Sequence, residues 1–145
     1  MSKPRLDLDD FLPYLVNRVG QRFVARFTPA LAAEGLDVQM WRVLGVLHAK
    51  GGQSAGELAA LTSINLSTLS RLAARMEDRG LIRRQRHGED ARSVVVALTA
   101  DGRRRTEKLI PEAAALEEDA AAGFSPNELA TLKALLVRLY GGIGG

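Results

Sequence analysis

Residues 54–99 read SAGELAALTSINLSTLSRLAARMEDRGLIRRQRHGEDARSVVVALT, and this stretch decides the fold. Ser54 followed by Glu57 forms a capping box, in which two side chains and two backbone N–H groups satisfy one another at a helix start. Leu58, Ala59 and Leu61 give that short helix an apolar side. The pattern breaks at Thr62-Ser63. Ile64 is placed to fill the turn, and Asn65 is a favoured N-cap for a second helix. Along it Leu69, Leu72 and Met76 recur at helical spacing and share one face. Ser67, Thr68, Ser70, Arg71 and Arg75 cover the other faces. Gly80 ends the helix, because glycine accepts the left-handed conformation of a C-terminal cap. Leu81 and Ile82 then return the chain toward a core.

This layout suits a helix-turn-helix that reads DNA. The second helix offers short hydroxyl side chains near its N-terminus, where the positive end of the helix dipole favours phosphate. Arginines one and two turns later reach guanine edges or the backbone. Taken alone, the helix fits equally well as a solvated amphipathic helix of an ordinary helical protein. The next segment separates the two readings. Arg83, Arg84 and Arg86 precede a tip, His87-Gly88-Glu89-Asp90, which is followed by Arg92 and the β-branched run Val94-Val95-Val96. Two strands joined by a Gly/Asp tip make a hairpin. So basic a hairpin, directly after a recognition-type helix, is a wing that lays arginines along the minor groove.

The run from about Trp41 to Thr99 resembles the winged helix-turn-helix of the MarR family of bacterial regulators. The residues that carry the likeness are WRVLGVL at 41–47, ELAALTSINLSTLSRLAARMEDRGLIRR at 57–84 and EDARSVVVALTADG at 89–102. Asp90-Ala91-Arg92 matches the family's Asp-x-Arg wing signature, and Leu98-Thr99-x-x-Gly102 matches its join into the next helix. The flanking helices fit as well. The expected fold is mainly α with a small β-hairpin wing: a winged helix-turn-helix lobe at 37–99, an N-terminal dimerisation helix at 1–36 and C-terminal dimerisation helices at 100–145. The resemblance implies a homodimer with interleaved terminal helices. Its two recognition helices would bind a pseudo-palindromic operator in double-stranded DNA. The candidate DNA contacts are Ser54, Asn65, Ser67, Thr68, Ser70, Arg71, Arg75, Arg84, Arg86, His87, Asp90 and Arg92.

Composition agrees with this reading. Of 145 residues, 20 are Lys or Arg and 17 are Asp or Glu, so the formal net charge is only +3. Clustering matters more than the total: arginines gather in the wing half and acids near both ends, which argues for local nucleic-acid contact. A hydrophobic fraction of 46% is ample for a core. The sequence contains no cysteine, which removes disulfides, thiolate metal sites and thiol redox sensing. No secretory signal or membrane-spanning run is read, so a cytoplasmic protein is expected.

In the flanks, a long helix carries Phe11, Leu12, Leu15, Val16, Val19, Phe23 and Phe27, beginning near Asp10 or bending at Pro13. Thr28-Pro29 predicts a kink or restart. A second helix spans Val38 to His48. Thr99 caps a third, which Pro111 is expected to kink. Ser125-Pro126-Asn127-Glu128 starts the last helix, with Leu132, Leu135, Leu136, Leu139 and Tyr140 at helical spacing; GGIGG reads as a frayed tail. The apolar stripes at the two chain ends suit a bundle shared with a second copy.

Other classes of function fare worse. His48 and His87 are the only histidines, with no cluster of metal-ligand spacing, no phosphate-binding glycine loop and no catalytic constellation. The expectation is a non-enzyme without cofactor or metal. A winged-helix module that binds protein without specific DNA binding is the alternative, and the dense wing arginines argue against it. Relatives of the family release DNA when a small aromatic anion binds near the dimer helices. The resemblance therefore implies a repressor released by a small aromatic or anionic ligand, and Tyr14, Arg18, Arg22, Trp41 and His48 would line its cleft. Read as residues alone, Trp41 fits plain core and the arginines fit ion pairs.

Overall fold

The computed structural model describes residues 2–86 and 94–144. The expected wing tip, with His87, Asp90 and Arg92, lies outside the described residues. A 3-10 turn at Leu8–Asp10 is capped by the Asp7 carboxylate, which accepts the Asp9 N–H at 3.1 Å. Helix α1 follows at Leu12–Ala33. Pro13 falls in its first turn, where a missing N–H costs nothing. The restart expected as one outcome at Thr28-Pro29 does not occur, and α1 is continuous through Pro29. The last turns of α1 bury Phe27 and Leu31, and the Phe27 ring meets Trp41 edge-on at 5.1 Å, so packing outweighs one lost hydrogen bond. Gly35, at φ +69°, ends α1 in a Schellman arrangement: Leu36 N–H donates to Leu31 O and Gly35 N–H to Ala32 O, both at 2.9 Å.

Helix α2, Val38–Lys50, starts at Asp37, whose carboxylate accepts the Met40 N–H at 2.9 Å, and buries Met40, Val43, Leu44 and Leu47. Helices α3, Ala55–Thr62, and α4, Leu66–Asp78, form the helix-turn-helix. Ser63 between them is left-handed at φ 58°. One expectation needs correcting in α3. Leu58 is buried, but Leu61 is 45% exposed, and Thr62 takes the second inward position. The Thr62 hydroxyl is tolerable there because it donates to Leu58 O and accepts the Ile64 N–H, which also shapes the turn. Ile64 is buried in that turn.

Strand β1, Ile82–Arg86, pairs antiparallel with β2, Val94–Leu98, in a register running from Ile82 opposite Leu98 to Arg86 opposite Val94. The period of two puts Ile82, Arg84 and Arg86 on one face with Val96 and Leu98. Gln53 bridges Val96 from the other side of β2.

Helix α5, Ala100–Ala121, begins where the Thr99 hydroxyl accepts the Gly102 N–H at 3.0 Å and donates to Gly80 O at 2.6 Å. Gly102 is packed so closely on β1's approach that an added Cβ would lie 1.9 Å from Leu81 O. The helix passes through Pro111 without interruption. Pro111 is exposed, so water can replace the missing bond. Helix α6, Pro126–Ile143, opens with the Ser125/Glu128 capping box. It extends through Gly141 and Gly142, which had read as tail; Ile143 continues the stripe of Leu132, Leu136 and Leu139.

The chain forms two compact units, Met1–Glu112 and Ala113–Gly145. The first holds the apolar core, from Phe27 to Leu109. In the second, no residue of α6 is buried, and Lys133 pairs with Glu117.

Candidate nucleic-acid interface

The α4 helix presents its outward face because its inward face is fully used. Leu69, Leu72, Ala73 and Met76 are 6% exposed or less. At 100° per residue the opposite side is centred on Ser67, Arg71 and Ala74, flanked by Thr68 and Arg75 on one edge and Leu66 and Ser70 on the other. All seven are exposed.

Asn65 builds the N-terminus of this face. Its Oδ1 accepts the N–H groups of Ser67 at 2.9 Å and Thr68 at 3.4 Å, and the Ser67 hydroxyl at 2.6 Å. Two consequences follow for the expected contacts. Asn65 serves as cap, and Ser67, with its proton engaged, turns acceptor lone pairs outward, which suits an amino group on a base edge. Asn65→Ala is expected to lower stability by about 1 kcal/mol, read as the urea midpoint. It should also weaken DNA binding by more than that loss explains, because the unfolded fraction stays negligible. Unaltered DNA binding would restrict Asn65 to the folding role.

Ser54 does the same for α3. Its hydroxyl accepts the Glu57 N–H at 3.1 Å and donates to the Glu57 carboxylate at 3.0 Å. Among the remaining candidates the arginines divide. Arg71 and Arg75 make no hydrogen bond or ion pair among the described residues. Arg84 is tied to the reading helix: its backbone N–H donates to Glu77 Oε2 at 3.0 Å, and its Nε lies 3.9 Å from Glu77 Oε1. Arg84 thus joins wing to α4. Arg86 is exposed at the far end of β1. Ser70 lies beside Arg84 at a cleft of about 240 Å³ between α3, α4 and the hairpin.

Of the five residues expected to line a ligand cleft, two meet on α1 and two are engaged with other partners. Arg18 stacks over the Tyr14 ring at 5.5 Å on α1. Trp41 packs on Phe27. His48 Nε2 meets Glu107 Oε1 at 3.3 Å, tying α2 to α5. Arg22 is exposed on α1. Among the described residues no cluster of His, Cys, Asp or Glu could hold a metal ion, and no helix is long and apolar enough to cross a membrane.

Sequence reasoning missed several residues. Arg79, Arg105 and Glu77 each link elements of the lobe. A basic residue just before Gly80 reads as ordinary dipole compensation, so the signal for Arg79 was ambiguous. Leu66, 53% exposed beside the Asn65 cap, is an apolar element of the outward face that the spacing of buried leucines passes over.

Comparison with known proteins gives consistent matches. A family model described as the MarR family matches residues 34–93. The HTH-type transcriptional repressor IacR of Pseudomonas putida is 32% identical over 101 residues, 70% of this chain and 60% of that protein. The chain spans about three fifths of the length of the first curated relatives it matches. The crystal structure of a MarR family transcriptional regulator from Silicibacter pomeroyi superposes with a TM-score of 0.85 at 32% identity, covering 97% of both chains. A solved structure of Bordetella bronchiseptica BpsR superposes with a TM-score of 0.82 at 26% identity, covering 94% of this chain and 97% of that one. That structure concerns regulation of BpsR's DNA binding by 6-hydroxynicotinic acid.

Proposed function

Because the chain belongs to the MarR family, we propose that it is a sequence-specific, double-stranded-DNA-binding transcriptional regulator, acting as a homodimer on a pseudo-palindromic operator. The observation that carries this reading is the outward face of α4, where hydroxyls stand at the helix N-terminus and, one and two turns on, two guanidiniums that have no partner among the described residues. Arg84, though exposed, is tied to Glu77, whereas Arg71 and Arg75 are available for base edges or phosphate. A site of action in the cytoplasm, with the DNA, follows from that partner. The assignments of Arg86, His87, Asp90 and Arg92 to the wing contact rest on the family resemblance and the charge pattern.

The dimer reading is supported by two exposed apolar stripes. On α1, Leu12, Leu15, Val16, Val19 and Phe23 are 40–56% exposed, and on α6 Leu132, Leu135, Leu136 and Tyr140 are 40–68% exposed. Stripes this long are covered in an assembly, where each fully buried leucine contributes about 1.5–3 kcal/mol. The segments 1–36 and 100–145 then serve as dimerisation arms around the reading lobe at 37–99. We further propose repression relieved by a small aromatic or anionic ligand, as the repressor IacR and the ligand-regulated BpsR suggest. Tyr14, Arg18, Arg22, Trp41 and His48 would line its cleft, with Arg18 standing over the Tyr14 ring and a second copy closing the site.

Selection of duplexes from a random library by the full-length chain, followed by fluorescence anisotropy, tests the reading. A repeat with two-fold symmetry should emerge, bound about a thousandfold more tightly than a shuffled duplex. If no duplex is enriched, the protein-interaction module replaces this reading.

A further inference from the structure

We propose that Arg79 is a positioning residue for DNA reading: with Arg105 it clamps the C-terminal turn of α1, so that α4 is held at one fixed angle to α1. Resting on the dimer reading above, this angle sets the distance between the two reading helices. Arg79 is itself the C-cap of α4. Its Nη2 donates to Gly35 O at 2.6 Å and its Nη1 contacts Met40 Sδ at 3.3 Å. On the adjacent carbonyl, Arg105 Nη1 of α5 donates to Glu34 O at 2.9 Å. Lys108 Nζ meets the Glu34 carboxylate at 2.8 Å, and Arg105 Nε meets Asp101 at 3.2 Å, so α5's side of the clamp is itself braced.

Electrostatics explains why a cation belongs here. Two helix C-termini, those of α1 and α4, come together at this point, and each is the negative end of its dipole. Without an intervening charge they repel. A guanidinium between them satisfies the Gly35 carbonyl just past the end of α1 and couples two elements that touch little else directly. Gly35 completes the fit, since a Cβ there would lie 3.1 Å from Arg79 Nη2. The contact holds the arm-forming helix against the reading helix. Arg79 is exposed and lies outside the core, so its removal leaves a folded chain.

A plain stability contact would weaken every DNA complex alike; a clamp affects spacing. The probe is the duplex that the wild-type chain enriches, remade with one to four extra central base pairs and also cut to a single half-site. Wild type should prefer one spacing. Arg79→Ala should bind the half-site within about twofold of wild type, lose about tenfold on the full duplex, and accept altered spacings nearly equally. Retained spacing preference, or equal loss on half-site and full duplex, overturns the proposal.

A second measurement needs no DNA. The absence of cysteine allows spin labels at Gln21→Cys on α1 and Ala74→Cys on α4, diluted with unlabelled chain. The intrachain distance distribution, by pulsed electron resonance, should be narrow in wild type and clearly broader with Arg79→Ala. An unchanged distribution removes the clamp even if no operator is ever selected, while a broadened one without a selected operator leaves the DNA reading alone at fault.

Discussion

Gly102→Ala is expected to destabilise the protein by about 2–3 kcal/mol, although glycine-to-alanine inside a helix ordinarily stabilises by about 1 kcal/mol. The sign reverses because the new Cβ would sit 1.9 Å from Leu81 O and 2.9 Å from Leu81 C, which are backbone atoms that cannot rotate away. Leu81 is 1% exposed, and its carbonyl also accepts the Thr99 N–H at 3.2 Å. Relief therefore requires the start of α5 to lift off the turn that follows α4. Gly45→Ala supplies the control, since Gly45 lies inside α2 with nothing within 4 Å of an added Cβ. It should be neutral or stabilising by up to about 1 kcal/mol. Urea unfolding of both variants gives the answer. If Gly102→Ala melts like wild type, the close approach of α5 to Leu81 is wrong.

The second large effect concerns reading itself. Arg71→Ala should lose about 1–3 kcal/mol, roughly 5- to 150-fold, on the selected duplex if its guanidinium forks onto a base edge. On random DNA the loss should be much smaller, and the specificity at one base pair in each half-site should relax. Arg71 stands near the centre of the exposed face, one turn beyond Ser67 and opposite the buried Leu69, Leu72 and Met76. No carboxylate among the described residues competes for it. Its melting midpoint should stay near the wild-type value, which separates lost contact from lost fold. Equal losses on specific and random duplexes would make Arg71 a phosphate contact and move base reading to Ser67 and Thr68. A salt series then counts that phosphate as about one unit of the slope.

Much of this molecule is legible from local chemistry. Caps at Ser54, Asn65, Thr99 and Ser125, and stops at Gly35 and Gly80, mark helix ends because each satisfies specific backbone groups within a few residues. The outward face of α4 follows from periodicity once Leu69, Leu72 and Met76 are taken as core. What sequence misjudged is where tertiary context overrides local preference. Pro29 and Pro111 signal breaks, yet the flanking turns are held by packing or open to water, and both helices continue. Leu61 outranks Thr62 in hydrophobicity, but Thr62 can be buried since Leu58 O and the Ile64 N–H engage its hydroxyl. Long-range polar links were invisible for a different reason. Arg79 to Gly35 spans 44 positions and Arg105 to Glu34 spans 71, and a backbone carbonyl leaves no trace in the sequence as an acceptor.

The bridge between Gln53 and Val96 ties exchange in the hairpin to opening of the lobe. Val96 N–H donates to Gln53 O at 2.7 Å and Gln53 N–H to Val96 O at 3.0 Å, while the Val96 side chain is 3% exposed. For either amide to meet solvent deuterium, the segment that leads into α3 must part from β2. That parting drags a buried valine out of the lobe, so these amides exchange only when the lobe opens. β2 is therefore anchored to the lobe at Val96, and exchange there reports opening of the lobe rather than local motion of the hairpin.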